Sequence, residues 1–142
     1  MENIWKKDTD IEEINRFSQD SMAGHLGISI TEKGADFLTA TMPVGPKTIQ
    51  PLGILHGGAS VVLAETLGSV ASYLTLDGNH FSVGLEIKAN HIKSVSKGIV
   101  TGRVTPVHLG KTTQIWDISI ENDQNALICT SRLTMMVIKG QM

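Results

Sequence analysis

The sequence predicts an α+β fold in which one antiparallel β-sheet wraps around a long central helix. Three observations predict it. Residues 59–76 form a run rich in Ala, Val and Leu without proline. It is too long for one strand and carries small residues on several sides, as a helix buried on nearly all faces would. Four β-like runs follow at 81–91, 98–108, 113–121 and 126–138, with turn-rich separators too short for parallel crossovers. The third run alternates, Ile115, Asp117 and Ser119 opposing Trp116, Ile118 and Ile120. One sheet around one helix lets both bury their apolar surfaces.

The remaining elements follow in chain order. Thr9 and Glu12 have capping-box spacing, and Ile11, Ile14 and Phe17 recur at helical spacing, so a short amphipathic helix is expected to about Gln19. Gly24 and Gly27 end it. Residues 28–31 and 37–42 read as strands joined by a turn at Glu32-Lys33-Gly34. A loop over 43–53 carries Pro43, Gly45, Pro46 and Pro51, and His56-Gly57-Gly58 opens the central helix. Asp77-Gly78-Asn79 stops that helix.

At 142 residues the chain has the length of one domain, 1–142, able to bury roughly 70% of its unfolded surface. Hydrophobic residues at 41% and charged residues at 18% argue against disorder. A net charge of −2 without a Lys/Arg cluster excludes a nucleic-acid footprint. Cys129 is the only cysteine, so neither an intrachain disulfide nor a cysteine metal site is expected. The five histidines lack close ligand spacing, and no metal is expected. The N-terminal residues lack the apolar core of a signal peptide, and the apolar run near 55–76 is interrupted by Glu65 and serines. A cytoplasmic protein without a membrane span is expected.

Glu65, Ser69 and Ser72 are spaced i, i+4 and i+7 and share one helix face, with Gly58 two turns earlier on the same face. A carboxylate in an apolar helix is costly to bury unless paired or used. Glu65 is therefore either a reactive group in a cleft or a side chain resting at the helix surface. Gly57-Gly58 offers unhindered N–H groups at the positive helix end, suited to an oxyanion, or simply permits a tight turn.

The segment Gln50-Pro51-Leu52-Gly53-Ile54-Leu55-His56-Gly57-Gly58-Ala59-Ser60-Val61-Val62-Leu63-Ala64-Glu65 resembles the signature of hotdog-fold acyl-CoA thioesterases. The branch is the one holding phenylacetate-pathway thioesterases, enterobactin proofreading thioesterases and 1,4-dihydroxy-2-naphthoyl-CoA hydrolases, with the last the nearest likeness. The likeness continues through Val83-Gly84-Leu85-Glu86-Ile87, Ala89-Asn90-His91, His108-Leu109-Gly110, Gln114-Ile115-Trp116 and Ser131-Arg132-Leu133-Thr134, and so spans nearly the whole chain.

The resemblance implies roles residue by residue. Glu65 matches the family's helix-borne carboxylate beside the thioester carbon. Gly57 matches the oxyanion N–H donor, while Gln50 and His56 fall near the thioester carbonyl. Ser69 matches the hydroxyl that holds the hydrolytic water. Gly58, His91, Lys93, Ser94, His108 and Gly110 fall where relatives contact CoA. The family geometry also implies a homodimer with sites shared between two chains, commonly a dimer of dimers. No cofactor is implied, because CoA arrives as part of the substrate. An aromatic or medium-length acyl group is expected, with menaquinone synthesis as the setting of the nearest likeness. Met22, Leu26, Leu55, Val61, Leu67 and Phe81 are candidate acyl-pocket residues. A non-catalytic acyl-CoA-binding module on the same fold stays open, as does a dehydratase, although the latter calls for an Asp/His pairing and the helix offers Glu65.

Overall fold

The computed structural model describes residues 2–140. Helices α1 (Ile11–Ser18) and α2 (Met22–His25) precede strands β1 (Ser29–Lys33) and β2 (Leu38–Pro43). The central helix α3 (Gly57–Leu74) follows, and then β3 (Phe81–His91), β4 (Ile99–Leu109), β5 (Thr113–Glu121) and β6 (Leu127–Ile138). All six strands form one antiparallel sheet in the order β1-β2-β4-β5-β6-β3. The chain thus adopts the hotdog arrangement of a sheet folded around a helix.

Helix α3 forms because its apolar residues are spread around its axis and the sheet covers most of them. Leu63, Leu67 and Leu74 are fully buried against Val100, Val104, Trp116, Ile120, Leu133 and Met135 on the inner face of the sheet. Close approach depends on two glycines. A Cβ at Gly68 would collide with Leu133 Cδ2, and one at Gly102 would lie 2.7 Å from Leu67 Cδ1. The carboxyl end of α3 is finished by distant chain: Lys6 and Lys7 N–H groups donate to Leu74 O, and Lys7 Nζ to Leu76 O at 2.8 Å. These satisfy carbonyls that a helix end leaves orphaned, with cations where the dipole favours them. A buried chain of hydrogen bonds, Trp116 Nε1–H to Gln114 Oε1 and Gln114 Nε2–H to Thr75 Oγ1, ties the same end to β5.

Local details correct several expectations. The N-cap of α1 is Asp10, whose carboxylate accepts the Glu13 N–H at 2.9 Å. Thr9 therefore forms no capping box; a carboxylate at the positive helix end is the stronger acceptor. The expected helix to Gln19 ends at Ser18, and α2 follows it as a separate single turn. Gly27 then closes α2 with φ of 77°, and Ile28 N–H donates to Ala23 O, a Schellman-type stop. The β1–β2 turn falls at 34–37, closed by Gly34 N–H to Phe37 O, two residues later than expected. A bulge between Ile30 and Glu32 lengthens β1 beyond the reach of a simple alternation. Helix α3 begins at Gly57, two residues before the apolar run.

The two sheet edges are treated differently. At the β1 edge, Asn15 of α1 reads both backbone groups of Ile30, donating to its O at 2.9 Å and accepting from its N at 2.8 Å. Strand β3, at the other edge, pairs with β6 and with no other described strand, and Val83 and Leu85 are exposed along it.

Candidate active site

The loop before α3 is built to present donors. Thr48 is buried, its hydroxyl donating to Pro43 O and accepting from Gly45 N–H, and His56 N–H returns to Thr48 O at 2.8 Å. Ile49 bridges Leu55, and Gln50 N–H donates to Ile54 O, so residues 49–55 form a tight excursion turned by Gly53 at φ 83°. Leu55 N–H is anchored to Val95 O at 2.7 Å.

Within this frame two side chains have their acceptors occupied. Gln50 Oε1 accepts the Leu52 N–H, which leaves the Gln50 NH₂ free to donate. His56 is the N-cap of α3, and its Nδ1 accepts the Gly58 N–H at 2.8 Å. The neutral imidazole is thereby held with its proton on Nε2, again a donor. Ala59 and Ser60 N–H groups both donate to His56 O. Gly57 N–H has no partner among the described residues and lies at the positive end of an 18-residue helix. Gln50 NH₂ and Gly57 N–H are thus donors at one loop-to-helix junction, and His56, the N-cap between them in sequence, turns its ring to Gly58.

A cavity of about 290 Å³ opens beside them, lined in part by Gln50, Gly57, His91, Lys93 and Ser94. Five of the residues singled out in the sequence therefore share one cleft. Gly57 also fixes the position of His91: a Cβ there would lie 2.9 Å from His91 Nε2, so the imidazole packs directly on the glycine. His108 and Gly110 are not brought to this cleft. They sit at the β4–β5 turn, where Gly110 N–H donates to Thr113 O. Register places that turn toward the end of the sheet opposite His91, which pairs with Cys129.

Glu65 is half-buried on the face of α3 that looks at β3, its Oε2 against Gly84. Eight residues separate it from Gly57, about 12 Å of helix at 1.5 Å per residue. The carboxylate and the donor cluster of one chain therefore stand apart. One turn beyond Glu65, Ser69 enters a second cavity of about 480 Å³ between α1 and α3, whose walls include Ile14, Phe17, Val70, Tyr73 and Leu74. None of the six candidate acyl-pocket residues lines it. Leu26 and Leu67 are core, and Leu55 borders the Gln50 cleft instead. Apart from Ser69, the groove residues escaped sequence reading as a site because two helices far apart in the chain create it; the exposed Phe17 on an amphipathic helix was the available signal.

The thioesterase superfamily profile matches residues 52–129, a span that runs from the donor loop through α3 to β6. The chain belongs to the thioesterase superfamily. It is a thioester hydrolase by that membership. It is 48% identical to the 1,4-dihydroxy-2-naphthoyl-CoA hydrolase of Escherichia coli (strain K12) over 135 residues, covering 95% of this chain and 99% of that protein. It is 49% identical to the proofreading thioesterase EntH of Cronobacter sakazakii, covering 95% and 98%. A crystal structure of a thioesterase from Haemophilus influenzae superposes with a TM-score of 0.94 at 49% identity, covering 95% of this chain and 94% of that one. No helix among the described residues is long and apolar enough to cross a membrane.

Proposed function

We propose that this thioesterase hydrolyses an aromatic or medium-length acyl-CoA to the free acid and CoA, with Glu65 of one chain acting on a thioester held by Gln50, His56 and Gly57 of another. The observation that carries the reading is the donor cluster. Two side chains with their acceptor atoms engaged by backbone amides, beside one free helix N-terminal amide, are suited to a carbonyl oxygen that gains negative charge. In hydrolysis that oxygen becomes an oxyanion as the carbonyl carbon turns tetrahedral. The carbon–sulfur bond then breaks and CoA leaves as the thiolate.

Glu65 supplies the carboxylate, as nucleophile to give a mixed anhydride that water opens, or as general base on that water. Single turnover in ¹⁸O-water tests for the anhydride, since label enters Glu65 only when water opens an anhydride at the Glu65 carboxyl carbon. Ser69, one turn away on the same helix, would hold the water. His91, Lys93 and Ser94 border the same cleft as the donors and suit the pantetheine and phosphates of CoA. His108 and Gly110 would join them only from another subunit. The groove from Ser69 to Tyr73 is apolar and of a size for one aromatic or medium-length acyl group. Hydrolysis of 1,4-dihydroxy-2-naphthoyl-CoA is the specific reaction that the name of the Escherichia coli relative suggests, and our reading sets it in cytoplasmic menaquinone synthesis. The chemistry needs neither metal nor cofactor.

The free edge strand supports a site shared between two chains. The β1 edge is covered by α1, whereas β3 offers an unpaired row of backbone groups flanked by exposed Val83 and Leu85. Two β3 edges laid antiparallel about a two-fold axis bring the Gly84 end of one strand to the His91 end of the other. Gly84 carries Glu65 and His91 carries Gly57, and each pair lies on the helix side of its strand. Such a dimer joins each carboxylate to the partner's donor cluster; two dimers would complete a tetramer.

Thiol release from a panel of acyl-CoAs tests the function. Turnover of aromatic or medium-length acyl-CoAs is expected, with Glu65→Gln folded and down by at least about a hundredfold in kcat. Wild-type turnover in that variant, or tight acyl-CoA binding without thiol release, would overturn the reading.

A further inference from the structure

A glycine in the middle of a strand adds no packing and enlarges the entropy lost on folding, so its presence asks for a cause. Gly84 sits inside the 11-residue edge strand β3 and is not among the glycines with positive φ. Backbone conformation therefore does not call for it. Space does: the atom nearest to a Cβ built at Gly84 is Glu65 Oε2 at 2.6 Å, followed by Glu65 Cδ at 3.7 Å and Leu133 Cδ1 at 3.8 Å. An alanine could not share the site with the carboxylate where it now rests.

Two further features fix that place. The β3–β6 register slips between Gly84 and Glu86, and a bulge re-aims the strand at this point. Two residues earlier, Ser82 Oγ and Ser72 Oγ are hydrogen-bonded at 2.7 Å. That bond pins α3 to β3 from the same helix face that carries Glu65 and sets the height of the helix against the strand. Ser72, conspicuous in sequence for its spacing from Glu65, so has a structural partner on β3.

We propose that Gly84 is a positioning residue for thioester hydrolysis: lacking a Cβ, it opens a seat for the Glu65 carboxylate, held in register by the Ser72–Ser82 tie. The inference rests on Glu65 being the reacting carboxylate. Since the displaced atom is the far end of a flexible side chain, Gly84→Ala moves the carboxylate without breaking the fold.

The test measures kcat, KM and Tm for Gly84→Ala and Glu65→Gln, and for Gly84→Ala in a Glu65→Asp background. Gly84→Ala is expected to lower kcat on the order of a hundredfold, the scale of a misplacement near 1 Å. KM should stay near wild type, with Tm unchanged or higher because alanine narrows the unfolded ensemble. The shorter Glu65→Asp side chain no longer reaches the new methyl, so in that background the Gly84→Ala penalty should largely vanish, a non-additivity that strand damage would not produce. Unchanged kcat in Gly84→Ala, a lowered Tm accompanying the loss, or equal penalties in both backgrounds would each overturn the seat. Full turnover by Glu65→Gln would instead remove the reading beneath it; an inactive Glu65→Gln beside a fully active Gly84→Ala would remove the seat alone.

Discussion

Replacing His56 by Ala and by Asn separates its two jobs. In the folded protein Nδ1 caps α3 by accepting the Gly58 N–H at 2.8 Å, and this same bond leaves Nε2–H as the donor that the proposed function assigns to the thioester carbonyl. Alanine removes both. Loss of an N-cap costs about 1 kcal/mol, which for a chain of this length lowers Tm by about 3–5 °C. Loss of one oxyanion donor costs a further ~10²–10³-fold in kcat. Asparagine is among the best N-caps, and its side-chain oxygen can take the Gly58 N–H, yet it is too short to carry a donor where Nε2 stands. His56→Asn should therefore regain most of the lost Tm and little of the lost kcat. Differential scanning fluorimetry and thiol release, run on the same preparations, read both quantities. An Asn variant with wild-type turnover would show that the imidazole only caps the helix, and the donor argument for it would fail.

Further outcomes follow from other parts of the molecule. Gln114→Leu keeps the volume but strands the Trp116 indole N–H in the core, so urea denaturation should show a loss of about 1–3 kcal/mol; unchanged stability would mean that the buried chain of hydrogen bonds contributes nothing. Burial pushes the Cys129 thiol above its ordinary range, so it should stay unreactive toward a disulfide reagent at neutral pH until the protein unfolds. Because the folded state holds that proton to higher pH than the unfolded chain, the thiol's contribution to stability is full below the ordinary thiol range and is lost as pH rises from there through the raised folded-state value. Rapid labelling of the native protein would contradict both statements. Dialysis against a chelator should leave kcat unchanged; a loss restored by a divalent cation would contradict metal-free hydrolysis.

The sequence made the sheet and the central helix legible because their periods are clean. The alternation over 113–121 is the β5 of the structure, and the proline-free run rich in Ala, Val and Leu marks α3 to within two residues at either end. Short-range competition was harder to read. Asp10 outcompetes Thr9 as a cap by charge, and α2 is a single turn, too short to show any period. Much of the candidate cleft was legible too, since Gln50, Gly57, His91, Lys93 and Ser94 border it together. What gives Gln50 and His56 their donor character, the capture of their acceptors by Leu52 and Gly58 amides, requires the folded loop. Strand order and register decide the rest. They set β3 at an edge, carry His108 and Gly110 away from His91, and bring Gly84 beneath Glu65, none of which a linear pattern encodes.

The central claim is that each site takes its carboxylate from one chain and its donors from the next, and subunit mixing tests it most directly. Glu65→Gln and Gln50→Ala homo-oligomers, each inactive alone, are unfolded together and refolded as a 1:1 mixture. Random pairing gives hybrids in which one of two sites combines an intact Glu65 with an intact Gln50, so activity should return to about a quarter of wild type. If each site lies within a single chain, every hybrid site keeps one defect. A mixture no more active than its parents would contradict the account.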